Sequence, residues 1–270
     1  MITLEHIGLY VLAIYDGVSN NKEFEEKLNL GIPWVLIPDA IQNYIGSRQM
    51  SHFEITPDGT DVSWMEFPEE EILKELTEES AHEVIRYHMY DLEKYPKCAV
   101  GERTIMKVFD SHNYWHNHYS DIKIHLVQDC VLDEVVRRKL VYVNERYEDK
   151  YIVRNNQENI LNGMQFREEL KAFEMYGFTH LVGKVYKKTG ILLNQDWFKK
   201  HVLRSLEMAY PMDLAQMTYN FMKIPDNIES KINELKFESN ERFFDLSGSD
   251  LVSIWDKIYA KSFVQTKREL

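Results

Sequence analysis

Apolar residues recur at helical spacing along most of the chain. Between residues 2 and 18, one face is apolar at alternating intervals of three and four and a second face is also largely apolar, which predicts an apolar helix. Other segments of helical character follow polar breaks or turn signals: 22–28, 69–93, 102–142, 165–178, 179–188, 194–206, 212–222, 227–235 and 246–262. No run of alternating apolar and polar residues is convincing as a strand. The pattern therefore predicts an all-α fold.

Two polar segments interrupt the predicted helices. Residues 42–68 contain turn signals and indicate a loop-rich section of the chain. Residues 144–160 are highly polar and indicate a linker or an exposed loop, which is the only candidate subdomain boundary. We therefore predict a single all-helical domain over residues 1–270, with a C-terminal helical subdomain from about residue 160 as the alternative division.

The helix predicted over residues 102–142 carries a narrow polar stripe between two apolar faces. At 100° per residue, four polar side chains fall within about 80° of one another. The stripe consists of His118, Asp121, His125 and Asp129, and Asp133 follows one turn later. A helix that is apolar on both sides of such a line is typically buried. Buried imidazoles and carboxylates are costly unless they are paired or bind metal, so this stripe is the best functional candidate.

Other polar residues have competing local interpretations. His6 lies on a largely apolar face of the first predicted helix, where a lone histidine is more often a core residue than a metal ligand. Asp39 follows a proline at a position that favours a helix-capping carboxylate. His112 and His116 are one turn apart and could chelate an ion. They could equally be polar residues at a helix break, because an asparagine follows each of them.

Composition limits the class of protein and its compartment. The net charge of −12 argues against general affinity for nucleic acid or for an anionic membrane surface. Only two cysteines are present, so we expect free thiols in a reducing compartment and no disulfide framework. No signal peptide and no membrane span are evident, which predicts a cytoplasmic protein.

Common catalytic motifs are missing from the sequence. The chain has no glycine-rich phosphate loop, no GxSxG elbow and no HExxH helix. It also lacks an adjacent His-Asp pair, which an HD-type nucleotide phosphohydrolase requires. Candidate chemistry therefore rests on histidines and aspartates that are scattered along the sequence.

The order of these histidines and aspartates resembles the zinc-dependent phospholipase C family and its uncharacterised hydrolase relatives. The residues that carry the resemblance are His6, Pro38-Asp39, Ser51-His52-Phe53 and His125-Leu-Val-Gln-Asp129. Together they cover roughly residues 1–135. The resemblance implies a multi-helical bundle of phospholipase C/P1 nuclease-like type, with a metal site buried between helices.

The resemblance also implies a ligand set and a reaction. Asp39, His52, His125 and Asp129 would form the principal site, and His6 would bind a neighbouring ion bridged by Asp129. Two or three zinc ions are implied, with manganese or iron as substitutes. Asp39 would orient an attacking water, and the substrate would be a small phosphate monoester or diester.

The chain departs from the family pattern in two respects. It does not begin with the tryptophan that ligates metal in the secreted phospholipases, and no His-x-x-x-Glu follows Asp129. A third ion and a phospholipid substrate are therefore in doubt. Candidates for an additional ion, or for side chains that support the ligands, are His112, His116, His118, Asp121 and Asp133.

Three functions remain open on the sequence alone. The first is a cytoplasmic metal-dependent hydrolase of phosphate esters, and the second is an HD-type nucleotide phosphohydrolase. The third is a non-catalytic helical binding or interaction protein, whose histidines are structural or hold a structural metal. The sequence does not predict an oligomeric state.

Overall fold

The computed structural model of the chain describes residues 3–45, 118–143, 150–226, 228 and 242–270. Within these ranges the chain is mostly helical, with two small antiparallel sheets. The predicted helical character is confirmed, whereas the prediction that strands are absent is wrong. The helices predicted at 69–93 and 227–235 lie largely or wholly outside the described residues.

Three helices form the N-terminal part: α1 (Thr3–Gly17), α2 (Asn21–Val35) and α3 (Ile37–Ile45). The side chain of Asn20 caps α2 by accepting a hydrogen bond from the Glu23 backbone N–H at 3.0 Å. The helix predicted over residues 22–28 is longer in the structure and includes Pro33. Every residue of α1 from Thr3 to Ile14 is buried, so the polar side chains of this stretch are enclosed in the core.

The central helix α4 (Tyr119–Val135) leads into a sheet. A π-helical turn, Val136–Leu140, connects it to β1 (Val141–Val143), which pairs antiparallel with β2 (Lys150–Val153). β3 (Asn156–Asn162) completes the meander. The segment predicted as a linker thus contributes two strands. The polar composition of this segment did not indicate strands, because five of the seven β3 side chains are exposed and only Leu161 is buried.

The described residues of the C-terminal part, 163–226, 228 and 242–270, form helices and one short hairpin. Its elements are α5 (Gly163–Thr189), α6 (Gln195–Trp197), a π-helical segment (Phe198–Leu203), α7 (Arg204–Ala209), α8 (Met212–Phe221), β4 (Arg242–Phe243), β5 (Leu246–Ser247) and α9 (Gly248–Glu269). Two helices predicted over residues 165–188 are therefore one. A capping box of Asn162 and Gln165 begins α5, and Gly190 ends it with a left-handed φ of 74°.

Helices α1 and α4 occupy the middle of this arrangement. α1 packs against α2, α5 and α9, while α4 packs against α2 and α9. α5 and α9 approach closely at Gly177, where a Cβ would overlap the ring of Trp255. Polar side chains on the inner faces of α1 and α4 are consequently shielded from water.

Candidate metal centre

Two histidines and two aspartates converge between α1, α3 and α4. His6 comes from α1, Asp39 from the first turn of α3, and His125 and Asp129 from successive turns of α4. Both imidazoles are fully buried, and the Asp129 side chain is 1% exposed. Asp39 is the most accessible of the four at 10%. We call these four side chains the centre.

The spacing between donor atoms is close to that of a coordination sphere. His6 Nε2 lies 3.2 Å from Asp129 Oδ1. His125 Nε2 lies 3.6 Å from Asp129 Oδ2 and 3.8 Å from Asp39 Oδ1. Donor atoms of His6, Asp39 and His125 all lie within 4.8 Å of one another. Ligands about 2.0–2.1 Å from a tetrahedral ion are themselves about 3.3 Å apart, so small movements suffice to fit one.

Helix geometry and burial explain the arrangement on α4. His125 and Asp129 are four residues apart and share one face. Apolar residues on either side are fully or almost fully buried, including Ile124, Leu126 and Val127. This placement confirms that α4 is an enclosed helix with a polar line along it, as the sequence predicts.

Asp39 is not a helix cap. α3 begins at Ile37, so Asp39 lies inside its first turn. Thr3 Oγ1 donates a hydrogen bond of 2.7 Å to Asp39 Oδ2, while Oδ1 is the oxygen nearest to His125 Nε2. The local preference for a capping role is therefore wrong, because tertiary partners on α1 and α4 orient this carboxylate.

The two imidazoles of the centre are stacked. Their ring centroids are 3.8 Å apart, with an interplanar angle of 21°. Two imidazoles and two carboxylates therefore present nitrogen and oxygen donors to the same small volume. The donor set therefore fits a divalent ion that accepts both nitrogen and oxygen, such as zinc, manganese or iron.

His6 is held from its other side by Gln128. His6 Nδ1 lies 2.7 Å from Gln128 Oε1, and both side chains are fully buried. Among the residues that the structure describes, His6 Nε2 has no hydrogen-bond partner despite its proximity to Asp129. A buried imidazole nitrogen in this situation is a natural metal ligand.

Tyr210 is a further neighbour of the centre that no pattern in the sequence predicts. Its hydroxyl donates a hydrogen bond to the Pro33 carbonyl oxygen. Burial raises the pKa of Tyr210 well above its usual value, and the negative charge of Asp39 raises it further. Tyr210 is therefore a neutral side chain at physiological pH.

The remaining members of the polar stripe, His118 and Asp121, contact each other. His118 Nδ1 lies 3.0 Å from Asp121 Oδ2, and the Tyr10 hydroxyl donates a 3.0 Å hydrogen bond to Asp121 Oδ1. Burial, followed by the charge and hydrogen bond of Asp121, raises the pKa of Tyr10 well above its usual value. The Trp34 ring stacks on His118 at 4.7 Å between centroids.

Several predicted ligands are outside the described part of the structure. These are His52, His112 and His116, together with the side chain of Asp133. Of the residues singled out from the sequence, the structure thus brings together His6, Asp39, His125 and Asp129, and it pairs His118 with Asp121. Thr3 and Gln128 support the centre, and no sequence pattern predicts them because single threonines and glutamines carry no spacing signal.

The chain was compared with family models, curated proteins and solved structures. No family model, no curated protein and no solved structure matches it. The resemblance to zinc-dependent phospholipases C therefore stays a prediction. In the described ranges, no helix combines the length and apolar character needed to cross a bilayer.

Proposed function

We propose that the chain is a metal-dependent hydrolase of phosphate esters, with zinc as the leading metal. The observation that carries this proposal is the centre itself: two imidazoles and two carboxylates, buried together with donor atoms 3.2–3.8 Å apart. His6, Asp39, His125 and Asp129 would hold the ion or ions. Manganese and iron suit the same donors.

The residues of the centre have distinct tasks in this proposal. A bound divalent ion would acidify a coordinated water and offset negative charge on phosphoryl oxygens. His6, His125 and Asp129 are almost inaccessible, so they serve to bind and position. Asp39 is the most accessible, and Thr3 fixes one of its oxygens. Its second oxygen would orient the attacking water and accept its proton.

The proposal includes a bundle of phospholipase C/P1 nuclease-like type. Its support is the juxtaposition of an N-terminal helix histidine, an aspartate after a proline, and a His-x-x-x-Asp pair on an enclosed helix. His52 would be an additional ligand, and a second ion would lie between His6 and Asp129. The substrate is a small phosphate monoester or diester.

A structural metal site is the second candidate function. It is favoured by the burial of the centre, since four protein ligands that enclose an ion leave no position for a water. In that case the chain would be a helical binding protein stabilised by its metal. The two candidates differ in their expected activity, whereas both require a bound ion.

Metal analysis and an activity screen together test both functions. Protein purified without chelator or affinity tag would be analysed for metals, then assayed on p-nitrophenyl phosphate and bis-p-nitrophenyl phosphate with zinc, manganese or iron. We expect at least one ion per chain and hydrolysis that His125→Ala abolishes. The matched control is His180→Ala, which removes a histidine paired with Asp256 at the surface.

The outcomes separate the alternatives. A bound ion with no hydrolysis of any ester would overturn the enzyme and favour the structural metal. Less than one ion per chain, with no gain on adding zinc or manganese, would overturn both.

A further inference from the structure

A chain of buried hydrogen bonds links His6 to the last helix. Gln128 Nε2 donates a 2.8 Å hydrogen bond to Thr266 Oγ1 on α9. Thr266 Oγ1 donates in turn to the Ser262 carbonyl oxygen, also at 2.8 Å. All four residues, His6 included, are fully buried. We call these two hydrogen bonds, together with the contact between His6 Nδ1 and Gln128 Oε1, the relay.

The direction of each bond in the relay follows from chemistry. A carbonyl oxygen can only accept, so the single hydroxyl proton of Thr266 is committed to Ser262. The Thr266 oxygen must then accept from Gln128, which turns the amide NH₂ of Gln128 toward α9. The amide oxygen therefore faces His6, and it too can only accept. His6 Nδ1 must carry the proton.

The tautomer decides whether His6 can bind metal. With its proton on Nδ1, a neutral imidazole has its lone pair on Nε2, the nitrogen 3.2 Å from Asp129. The opposite tautomer would place a proton between Nε2 and the carboxylate and block coordination. We propose that Gln128 and Thr266 are positioning residues that hold His6 in its metal-binding tautomer. This inference rests on the proposed metal centre.

Variants of the relay have graded expected effects on affinity for zinc, measured by competition with a chromophoric chelator. Gln128→Leu keeps the volume and removes both hydrogen bonds, so we expect affinity to fall about 10–100-fold. Thr266→Val frees the amide to rotate, and we expect a smaller loss, within about tenfold. Gln128→Glu restores an acceptor for Nδ1–H and should recover most of the affinity that Gln128→Leu loses.

Ser262→Ala is the matched control. Ser262 lies on the same helix as Thr266 and is equally buried, but it takes part in the relay only through its backbone carbonyl. Among the described residues its hydroxyl oxygen has no hydrogen-bond partner. Zinc affinity should therefore be unchanged in Ser262→Ala.

A spectroscopic signature distinguishes positioning from general stabilisation. In metal-free protein labelled with ¹⁵N-histidine, long-range ¹H–¹⁵N spectra show which ring nitrogen of His6 is protonated. We expect an Nδ1–H tautomer in the wild type and in Ser262→Ala, and loss of that single tautomer in Thr266→Val. The wild-type measurement needs no variant, so it remains decisive if Gln128→Leu fails to fold.

The relay and the proposed function can fail separately. An Nε2–H tautomer in the wild type, or wild-type zinc affinity in both Gln128→Leu and Thr266→Val, would overturn the relay. A wild-type protein with the Nδ1–H tautomer that binds no zinc would instead overturn the metal centre, and with it the proposed role of the tautomer.

Discussion

Asp39 differs from the other three side chains of the centre in its accessibility. It is 10% exposed, and Thr3 holds one of its oxygens at 2.7 Å. An asparagine at this position could still accept the Thr3 hydrogen bond, so the local fold should persist. The substitution therefore separates the charge of the carboxylate from its packing.

We predict that Asp39→Asn lowers kcat for phosphate ester hydrolysis by about 10²–10⁴-fold, because the amide cannot accept a proton from water. Steady-state kinetics with p-nitrophenyl esters measure this effect, and circular dichroism checks the fold. The control is Asp16→Asn, a carboxylate that pairs with Lys188 and Lys267. Unchanged kcat in Asp39→Asn would contradict the assignment of this residue.

Glu5, next to His6 in sequence, is a fully buried carboxylate outside the centre. The Tyr259 hydroxyl donates a 2.8 Å hydrogen bond to Glu5 Oε1 from α9. We predict that Tyr259→Phe destabilises the protein by about 1–3 kcal/mol, since a buried acceptor loses a donor. Urea denaturation at pH 7 measures the change. Tyr186→Phe, at a 54% exposed tyrosine, should change stability little.

The histidines and aspartates of the centre could be predicted from sequence only in part. The periodicity of α4 identified a buried polar line, and the proposed resemblance selected His125 and Asp129 from it. His6 and Asp39 had ordinary local interpretations, as a core histidine and a helix cap. Their role depends on α1 and α3 meeting α4, which is a tertiary relation that local spacing does not encode.

At the scale of elements, helices were predicted well and strands were not. Long helices such as α1 repeat their apolar signal over several turns. β3 presents five exposed side chains of seven, so its sequence resembles a polar loop. The pairing of Tyr151 with Leu161 stabilises the strand, and that partner is invisible in a local window.

The start of α5 depends on a reciprocal cap. Asn162 Oδ1 accepts from the backbone N–H of Met164 and Gln165, each at 3.0 Å. We predict that Asn162→Ala lowers the free energy of unfolding by about 0.5–2 kcal/mol, because the helix loses its cap. Chemical denaturation provides the measurement. Asn220→Ala, at an exposed position near the end of α8, is the control, and an equal loss there would argue against capping.

At the scale of the whole molecule, a metal ion would tie three helices together. α1, α3 and α4 each contribute to the centre, and a ligand that binds only the folded state stabilises it by mass action. At a free zinc concentration of 100 times the Kd, the gain is about 2.7 kcal/mol. We therefore predict that dialysis against a chelator lowers the Tm and that zinc restores it. A Tm insensitive to both treatments would contradict a metal bound to the folded chain.

Buried tyrosines give the molecule a defined response to alkaline pH. Burial, followed by nearby carboxylates, raises the pKa of Tyr10, Tyr210 and Tyr259 well above the ordinary 10.0. The unfolded chain releases these phenolic protons first as pH rises. These tyrosines therefore contribute stability that is present below pH 10.0 and is lost as pH rises toward their folded pKa values.

We predict that the urea midpoint falls above pH 10.0, and that these three tyrosines ionise only on unfolding. Absorbance at about 295 nm follows phenolate formation in the folded and denatured chains. A single wave that ionises all sixteen tyrosines while the protein stays folded would contradict this prediction.

The relay also has a consequence for biosynthesis. His6 and Thr266 meet through Gln128, yet a ribosome working at roughly 5–20 residues per second makes them tens of seconds apart. Until α9 folds against α4, the Gln128 amide is free to rotate and either ring nitrogen of His6 can hold the proton. The nascent chain would therefore compete poorly for metal ions, and loading of the centre would be a late event that follows synthesis of the last helix.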